Sequence, residues 1–227
     1  MVYVHGGYWQ ELNKDLSAYP VKPLYSAGIV SVIVGYDLAP QVSVEEIVEE
    51  VRAAVGWACR LAKGRGSGCV VLSGWSAGAH LVTQVLSTWP TAKAEETALD
   101  LVKGVVTFSG VFDLRPLVGT YVNDPLRLTE SSAWTLSPLR VVGDLKKTWP
   151  FLRLLVTAGQ HDSPEFKRQS LQYSQVCGVS GLQAEYVEVE ADHFNIVEDL
   201  SKEDFSLTQR VLAFFRRCRQ EEEAEEA

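Results

Sequence analysis

Short apolar runs alternate with longer amphipathic stretches along this chain, and the alternation predicts strands followed by helices. Strands are predicted over residues 2–4, 29–34, 70–72, 104–108, 152–158 and 184–189. Helices, in which apolar residues recur every three or four positions, are predicted over residues 44–61, 79–86, 165–176 and 205–215. Repeated strand–helix units of this kind favour the α/β class, with a mostly parallel sheet flanked by helices.

One long stretch, residues 111–150, interrupts the alternation and predicts an irregular insertion. It mixes aromatic with polar residues and contains Pro116, Pro125, Pro138 and Pro150. Long insertions in α/β folds often cover active sites, so we interpret this segment as lid-like. The expected organisation is one domain over residues 1–219 and an acidic, disordered tail over residues 220–227.

Composition and charge exclude several function classes. A hydrophobic content of 46% over 227 residues is enough for the core of one domain. The net charge of −8 falls to −3 without the five glutamates of the tail, and no basic cluster predicts nucleic-acid binding. No apolar run approaches the roughly 18 residues of a membrane span, and no charged leader opens the chain. Neither a membrane partner nor secretion is therefore expected.

The four cysteines favour a reducing compartment. Cys59, Cys69, Cys177 and Cys218 are too few and too scattered for a disulfide framework or a pair of zinc ligands. We therefore expect thiols that form no disulfide, no bound metal, and a location in the cytoplasm.

A glycine-flanked serine, Ser76 in Gly-Trp-Ser-Ala-Gly (74–78), is the first candidate for chemistry. The bare Gly-x-Ser-x-Gly pattern arises by chance in about one such chain in ten, so its context decides. Here a predicted buried strand precedes the serine and a predicted helix follows it, which is the arrangement that lifts a nucleophilic hydroxyl above a sheet. The sequence therefore predicts a nucleophile at Ser76; the alternative is a tight turn with an incidental serine.

An acid and a histidine each come a few residues after a later predicted strand. They are Asp162 and His193. Chemistry gathers at the carboxyl ends of parallel strands, and the chain order serine, acid, histidine is that of an α/β-hydrolase triad. In this prediction His193 takes the proton of Ser76, and Asp162 holds the imidazole in its tautomer. Asp113 and Asp192 stay open as alternatives for the acid.

The glycine loop His5-Gly6-Gly7-Tyr8-Trp9 supplies candidates for binding a developing oxyanion. Two adjacent glycines let backbone N–H groups point into a site without a clash from a Cβ atom. The predicted donors are the amides of Gly7, Tyr8 and Ala77, the last of which directly follows the serine. For the loop taken alone, the alternative is a plain glycine turn.

Several motifs carry a resemblance to a known family. The motifs that resemble the hormone-sensitive-lipase-like branch of the α/β-hydrolases are His-Gly-Gly-Tyr-Trp (5–9), Val-Gly-Tyr-Asp-Leu-Ala-Pro (34–40) and Gly-Trp-Ser-Ala-Gly-Ala-His-Leu (74–81). The stretches that are similar to the animal kynurenine formamidases, also called arylformamidases, are 109–114, 159–166, 168–170 and 192–198. The resemblance covers nearly the whole chain apart from the acidic tail.

The resemblance implies a fold, an activity and a set of partners. It implies an α/β-hydrolase fold and a serine hydrolase that cleaves N-formyl-L-kynurenine into L-kynurenine and formate, in tryptophan breakdown. It implies a small-molecule substrate, no cofactor or metal, no nucleic-acid or membrane partner, a cytoplasmic and also nuclear location, and it leaves room for a homodimer. The expected motif and pocket residues are His5, Gly6, Trp9, Trp75 and Phe194. Further aromatic residues that could line the pocket, each with core packing as its alternative, are Phe112, Tyr121 and Trp134.

Two features depart from the family pattern. Trp75 precedes the serine where a smaller side chain or a histidine is expected, which would reshape the pocket. Met1 lies three residues before the end of the first strand, whereas the family carries several earlier strands. The fold is therefore expected to lack the usual first strands, as an N-terminally shortened form. The alternative functions are a broad carboxylesterase for small acyl groups and a catalytically silent shortened isoform.

Overall fold

Six strands form one sheet in the order β2-β1-β3-β4-β5-β6, and every neighbouring pair is parallel. The computed structural model describes residues 1–89 and 98–225, with side chains to residue 219 in the last helix. The strands are β1 Val2–Val4, β2 Val32–Val34, β3 Val70–Trp75, β4 Val102–Phe108, β5 Arg153–Gly159 and β6 Gln183–Val189. The predicted parallel α/β architecture is confirmed, and no further strand pairs with β2 within residues 1–89 and 98–225.

Helices connect the strands and cover both faces of the sheet. They are α1 Val21–Ser26, α2 Val44–Gly64, α3 Ala77–Ser87, α4 Asn123–Leu126, α5 Glu130–Thr135, α6 Val142–Thr148, α7 Pro164–Val179, α8 Asn195–Glu198 and α9 Ser206–Glu225. Helices α2, α3, α6 and α7 share one core cluster with one face of the strands. Helices α1, α8 and α9 share a second cluster with the other face. Because the central strands are buried on both faces, they read as continuous apolar runs in the sequence.

The parallel arrangement places the loops that follow five strands at one edge of the sheet. In register, Val4 of β1 lies beside Gly74 of β3, and Trp75 of β3 lies beside Phe108 of β4. The carboxyl ends of β5 and β6 continue this edge, with Gly159 beside Val189. The glycine loop, Ser76 and the two later loops with the predicted acid and histidine therefore emerge side by side, where parallel α/β sheets hold their chemistry.

The segment 111–150 is more regular than the sequence predicted. It contains α4, α5 and α6, with one short 3-10 helix before α4 and another between α5 and α6. The indole N–H of Trp149 donates to the carbonyl of Leu86 over 3.0 Å, which fastens the end of the segment to α3. The apolar residues Leu136, Val142 and Leu145 enter the core. The prediction of an irregular segment is corrected: Pro116 and Pro138 lie in the first turns of short 3-10 helices, where proline is tolerated, and Pro150 follows the end of α6. The role of the segment as a lid stays a prediction.

The ends of several elements differ from their predicted positions. The strand predicted over 29–34 is ordered as a strand only at Val32–Val34, at the edge of the sheet. The last helix runs ten residues past the predicted end at 215, to Glu225. Of the predicted disordered tail, the side chains from residue 220 and the whole of residues 226–227 lie outside the described residues, so it stays a prediction. None of the described helices is long and apolar enough to cross a lipid bilayer.

Candidate active site

The backbone at Ser76 adopts the strained conformation of a sharp strand-to-helix turn. Ser76 has φ 54° and ψ −115°, between the end of β3 and the start of α3. A side chain at Gly74 would place its Cβ 2.2 Å from the carbonyl carbon of Gly78. A side chain at Gly78 would place its Cβ 2.1 Å from the carbonyl oxygen of Val4. Both glycines are therefore required by close backbone contacts, and they explain why the serine is held in a conformation that costs energy.

The glycine loop lies directly against this turn. A Cβ atom on Gly6 would lie 3.1 Å from the Cβ of Ser76 and 2.9 Å from the Trp75 ring. The next three residues, 7–9, all have positive φ, with Gly7 at 100° and Tyr8 at 48°. Within the described part of the chain, no acceptor is hydrogen-bonded to the amides of Gly7, Tyr8 or Ala77. Two unengaged N–H donors in the glycine loop and one at the start of α3, which directly follows the serine, are consistent with the prediction of an oxyanion site.

His193 and Asp162 are joined by a hydrogen bond between their side chains. The distance from His193 Nδ1 to Asp162 Oδ1 is 2.7 Å, and the imidazole is 20% exposed while the carboxyl is fully buried. The other oxygen of Asp162 accepts from the hydroxyl of Ser109, and the backbone N–H of Gly159 donates to it over 3.1 Å. With both carboxyl oxygens occupied, the imidazole is fixed in orientation and its Nε2 is the nitrogen left for proton transfer.

The carboxyl of Asp162 is kept ionised by its hydrogen bonds. Burial by itself raises its pKa, but the bonds from His193, Ser109 and Gly159 outweigh burial and hold the pKa below the ordinary value. The charge therefore persists across the pH range in which histidines titrate. An ionised acid beside an imidazole can stabilise the imidazolium that forms when the histidine takes a proton.

The two alternative acids have other partners. Asp113 forms a paired salt bridge with Arg115, with distances of 3.0 Å and 2.6 Å. Asp192 accepts from the backbone N–H groups of Phe194 and Asn195, each over 2.8 Å, at the start of α8. Neither carboxylate contacts His193 in the described structure.

Trp75 contacts His193 through both a hydrogen bond and its ring. Its indole N–H donates to the backbone carbonyl of His193 over 2.9 Å, and the two rings lie 5.4 Å apart. Phe166 of α7 packs against the imidazole at 4.2 Å, and Phe194 lies edge-on to it at 5.7 Å. Phe194 is 58% exposed, so the ring cluster opens to solvent there. The sequence did not predict Phe166, which contacts the histidine only through folding of α7 beside β6.

The other predicted pocket residues are divided between core and surface. Trp9 and Phe112 have no exposed surface and pack in the core, so the prediction that they line a pocket is corrected for both. Tyr121 is 83% exposed. Trp134 lies under the guanidinium of Arg115, whose Cζ is 4.0 Å from the ring centre. His5 and Gly6 are buried within the glycine loop.

His80, on the helix that follows the serine, is a fully buried and neutral histidine. Its Nδ1 accepts from the indole N–H of Trp9 over 3.1 Å, and its Nε2 lies 2.8 Å from the carbonyl of Leu136. A carbonyl only accepts, so the hydrogen of the ring is on Nε2. The residue thus ties the glycine loop to the segment 111–150.

Acidification is expected to weaken the fold through His80. Burial lowers its pKa to about 4, whereas an unfolded histidine has a pKa of about 6.5. The unfolded chain therefore binds more protons between these values, and the free energy of unfolding falls as the pH drops from 6.5 towards 4. The contribution of this residue is a loss of about 2 kcal/mol between pH 7 and pH 4.5, measured by urea unfolding at both pH values.

The variant His80→Gln separates this effect from other titrations. Glutamine keeps an oxygen that can accept from Trp9 and an N–H that can donate to Leu136, but it does not titrate. The stability difference between pH 7 and pH 4.5 is expected to be about 2 kcal/mol smaller in the variant. Equal pH dependence in both proteins would contradict the assignment of a neutral, buried His80.

Comparison with known proteins identifies relatives by sequence. The family model for the alpha/beta hydrolase fold matches residues 1–145. The kynurenine formamidase of Danio rerio is 39% identical over 216 residues, which cover 93% of this chain and 71% of that protein. The kynurenine formamidase of Drosophila melanogaster is 30% identical over 207 residues, which cover 89% of this chain and 68% of that protein.

Solved structures share the same fold. Esterase B from Lactobacillus rhamnosis superposes with a TM-score of 0.76 at 21% identity, covering 99% of this chain and 78% of that one. Carboxyl esterase 2 from Tuber melanosporum superposes with a TM-score of 0.74 at 18% identity, covering 96% and 77%. At these identities the likeness concerns the fold alone.

Proposed function

This chain belongs to the alpha/beta hydrolase fold family and, within it, to the family of the kynurenine formamidases, and we propose that it hydrolyses N-formyl-L-kynurenine to L-kynurenine and formate. The observation that carries the proposal is the 39% identity to a kynurenine formamidase over 93% of the chain. The hydrogen-bonded pair His193–Asp162, at the same sheet edge as the strained Ser76, supports it with a chemical mechanism.

The reaction begins with attack by Ser76 on the formyl carbon. In the proposed mechanism, His193 Nε2 removes the proton of the serine hydroxyl as its oxygen bonds to the carbon. The carbonyl oxygen becomes an oxyanion, for which the unengaged amides of Gly7, Tyr8 and Ala77 are the proposed donors. Asp162 stabilises the imidazolium because its carboxylate stays ionised.

The tetrahedral intermediate collapses by breaking the bond between the formyl carbon and the anilide nitrogen. His193 returns its proton to that nitrogen, so that L-kynurenine leaves as a neutral aromatic amine. The formyl group stays on Ser76 as an ester. A water molecule, deprotonated by His193, then attacks this ester and releases formate, while the serine oxygen takes back the proton. One water is consumed for each amide bond broken.

The ring cluster around His193 fits an aromatic leaving group. The ring centroids of Trp75, Phe166 and Phe194 lie within 5.7 Å of the imidazole centroid, and that of Tyr8 is 6.4 Å from Phe166. The amine that leaves must receive its proton from this imidazole, so its aromatic ring has to lie beside the cluster. Aromatic side chains next to the leaving group therefore support an aryl amide over an alkyl one.

Location and assembly extend the same proposal. We place the reaction in the cytoplasm, with the nucleus as a second location and without a nucleic-acid or membrane partner; the family resemblance leaves room for a homodimer. Support for a reducing compartment comes from Cys59, Cys177 and Cys218, which are buried thiols whose pKa is raised by burial to about 12. Imaging of the tagged chain and light scattering of the purified chain test these two statements.

The activity is tested by comparing two substrates on the purified 227-residue chain. N-formyl-L-kynurenine is expected to be hydrolysed with a larger kcat/KM than p-nitrophenyl acetate, with formate and L-kynurenine formed in equal amounts. Turnover of the ester without turnover of the formamide would overturn the proposal in favour of a broad carboxylesterase.

A probe for reactive serines distinguishes a catalytically silent protein from a hydrolase that acts on another substrate. A fluorophosphonate is expected to label wild-type protein and to spare the Ser76→Ala variant. A folded chain that melts cooperatively but takes up no label would contradict the whole assignment and leave a catalytically silent form.

A further inference from the structure

We propose that Tyr36 is a positioning residue for the oxyanion site, because its hydroxyl holds the carbonyl of Gly6 and thereby aims the N–H of Gly7. The proposal rests on the hydrolase mechanism given above. Tyr36 follows the edge strand β2, and its single hydroxyl hydrogen is shared between the carbonyl of His5 at 3.1 Å and that of Gly6 at 3.0 Å. The residue contacts neither Ser76 nor the ring cluster in the described structure.

The ring of His5 completes the arrangement. It stacks on the ring of Tyr36 with centroids 4.2 Å apart and an angle of 11° between the planes. His5 Nδ1 lies 2.9 Å from the carbonyl of Gly6, so Nδ1 carries the hydrogen of the ring. Burial lowers the pKa of His5 and keeps it neutral. The carbonyl of Gly6 therefore accepts two hydrogen bonds, one from each stacked ring.

The consequence follows from the planarity of the peptide bond. In a trans peptide the C=O of one residue and the N–H of the next point to opposite sides. The described cis peptide is Ala39–Pro40, so the bond between Gly6 and Gly7 is trans. A carbonyl of Gly6 fixed towards Tyr36 therefore fixes the N–H of Gly7 in the opposite direction, away from Tyr36.

The second donor of the loop, the N–H of Tyr8, is oriented in the same manner by hydrogen bonds to the carbonyl of Gly7. The carbonyl of Gly7 accepts from the amides of Gln10 at 2.9 Å and Glu11 at 3.0 Å. The N–H of Tyr8, across that peptide bond, is therefore turned away from these two residues. Both loop donors are thus oriented by hydrogen bonds to the carbonyls behind them, and Tyr36 supplies one of the two bonds to the carbonyl of Gly6, which lies behind the N–H of Gly7.

The loop needs such restraints because its backbone is strained. Three successive residues with positive φ, two of which are not glycine, would relax if nothing held them. Donors that must reorganise during the reaction stabilise an oxyanion less than donors that are already in place. Burial also raises the pKa of Tyr36, so its hydroxyl keeps the hydrogen that it donates.

The variant Tyr36→Phe tests the proposal, and Tyr3→Phe is its matched control. Phenylalanine keeps the stacking on His5 and removes only the hydroxyl. The hydroxyl of Tyr3, on the neighbouring strand β1, is buried without a hydrogen-bond partner among the described residues. In Tyr36→Phe we expect kcat for the formamide to fall by about 10- to 100-fold with KM within about twofold, because the oxyanion forms only after binding.

Labelling by a fluorophosphonate gives a second readout that needs no formamidase activity. Its rate constant is expected to fall about 10-fold in Tyr36→Phe, whereas its final amplitude, which counts folded sites, stays at one label per chain. Tyr3→Phe is expected to match wild type in both. A labelling rate constant within about twofold of wild type in Tyr36→Phe would overturn the positioning role. Failure of wild type on the formamide alone would overturn the substrate and leave this test standing.

Discussion

Replacing Ser76 by alanine is expected to lower kcat for N-formyl-L-kynurenine by about 10⁴-fold or more, to the level left by binding and the oxyanion donors alone. The hydroxyl is the proposed nucleophile, and alanine has no group that can take its place in the covalent step. Initial rates of kynurenine formation, with enough enzyme to detect a slow residual reaction, measure the effect.

The fold of this variant is expected to survive. Alanine has nearly the volume of serine, and the turn is held by Gly74 and Gly78 rather than by the hydroxyl. Ser131→Ala, at an exposed position of α5, is the matched control and should keep the wild-type rate. A Ser76→Ala protein that retains more than about a tenth of wild-type activity would remove the nucleophile from this position.

The second large effect is expected at Asp162. The substitution Asp162→Asn should lower kcat by about 10³- to 10⁴-fold, because an amide carries no charge to stabilise the imidazolium and favours the wrong histidine tautomer. The thermal midpoint should change far less than the rate, since asparagine fills the same volume between Ser109 and Gly159. Steady-state kinetics together with a thermal melt measure the two quantities.

The alternative acids supply the controls for this experiment. Asp192→Asn keeps an oxygen that can accept from the amides at the start of α8, since asparagine caps helices as well as aspartate does. Asp113→Asn breaks the pair with Arg115 but leaves the contacts of His193 intact. Both variants should keep kcat within about tenfold of wild type. A collapse of activity in Asp113→Asn, with activity retained in Asp162→Asn, would move the acid to position 113.

Much of the fold could be predicted because its determinants are local. Short stretches of sequence determine several elements by themselves. Examples are the apolar run of β3, the helical period of α2 with its capping residue Ser43, and the glycines around Ser76. The ends of helices and strands were harder to predict, since they depend on the elements that pack beside them. The strand 29–34 shortens to Val32–Val34 because only those residues find partners on β1.

Residues that depend on distant partners could not be predicted. Ser109 supports Asp162 from 53 positions away, and Tyr36 contacts His5 across 31 positions. Phe166 contacts His193 only because α7 is packed beside the last strand. For Trp9, a distant partner made the prediction wrong. Its place in a glycine loop favoured a pocket position, but its indole donates to His80, 71 residues later, and the side chain is buried in the core. No short sequence pattern predicts contacts between residues so far apart in the chain.

The adjacent positions of the proposed catalytic groups also determine how activity arises during folding. The glycine loop, the serine, Ser109, the acid and the histidine come from β1, β3, β4, β5 and β6, which are neighbours in space but far apart in sequence. Each junction between these parallel strands requires a long crossover, which is slow to close. A chain with its helices formed and one strand unpaired therefore has a partial core but no site. Activity in this protein is therefore expected to appear only when all five of these strands have taken their places in the sheet.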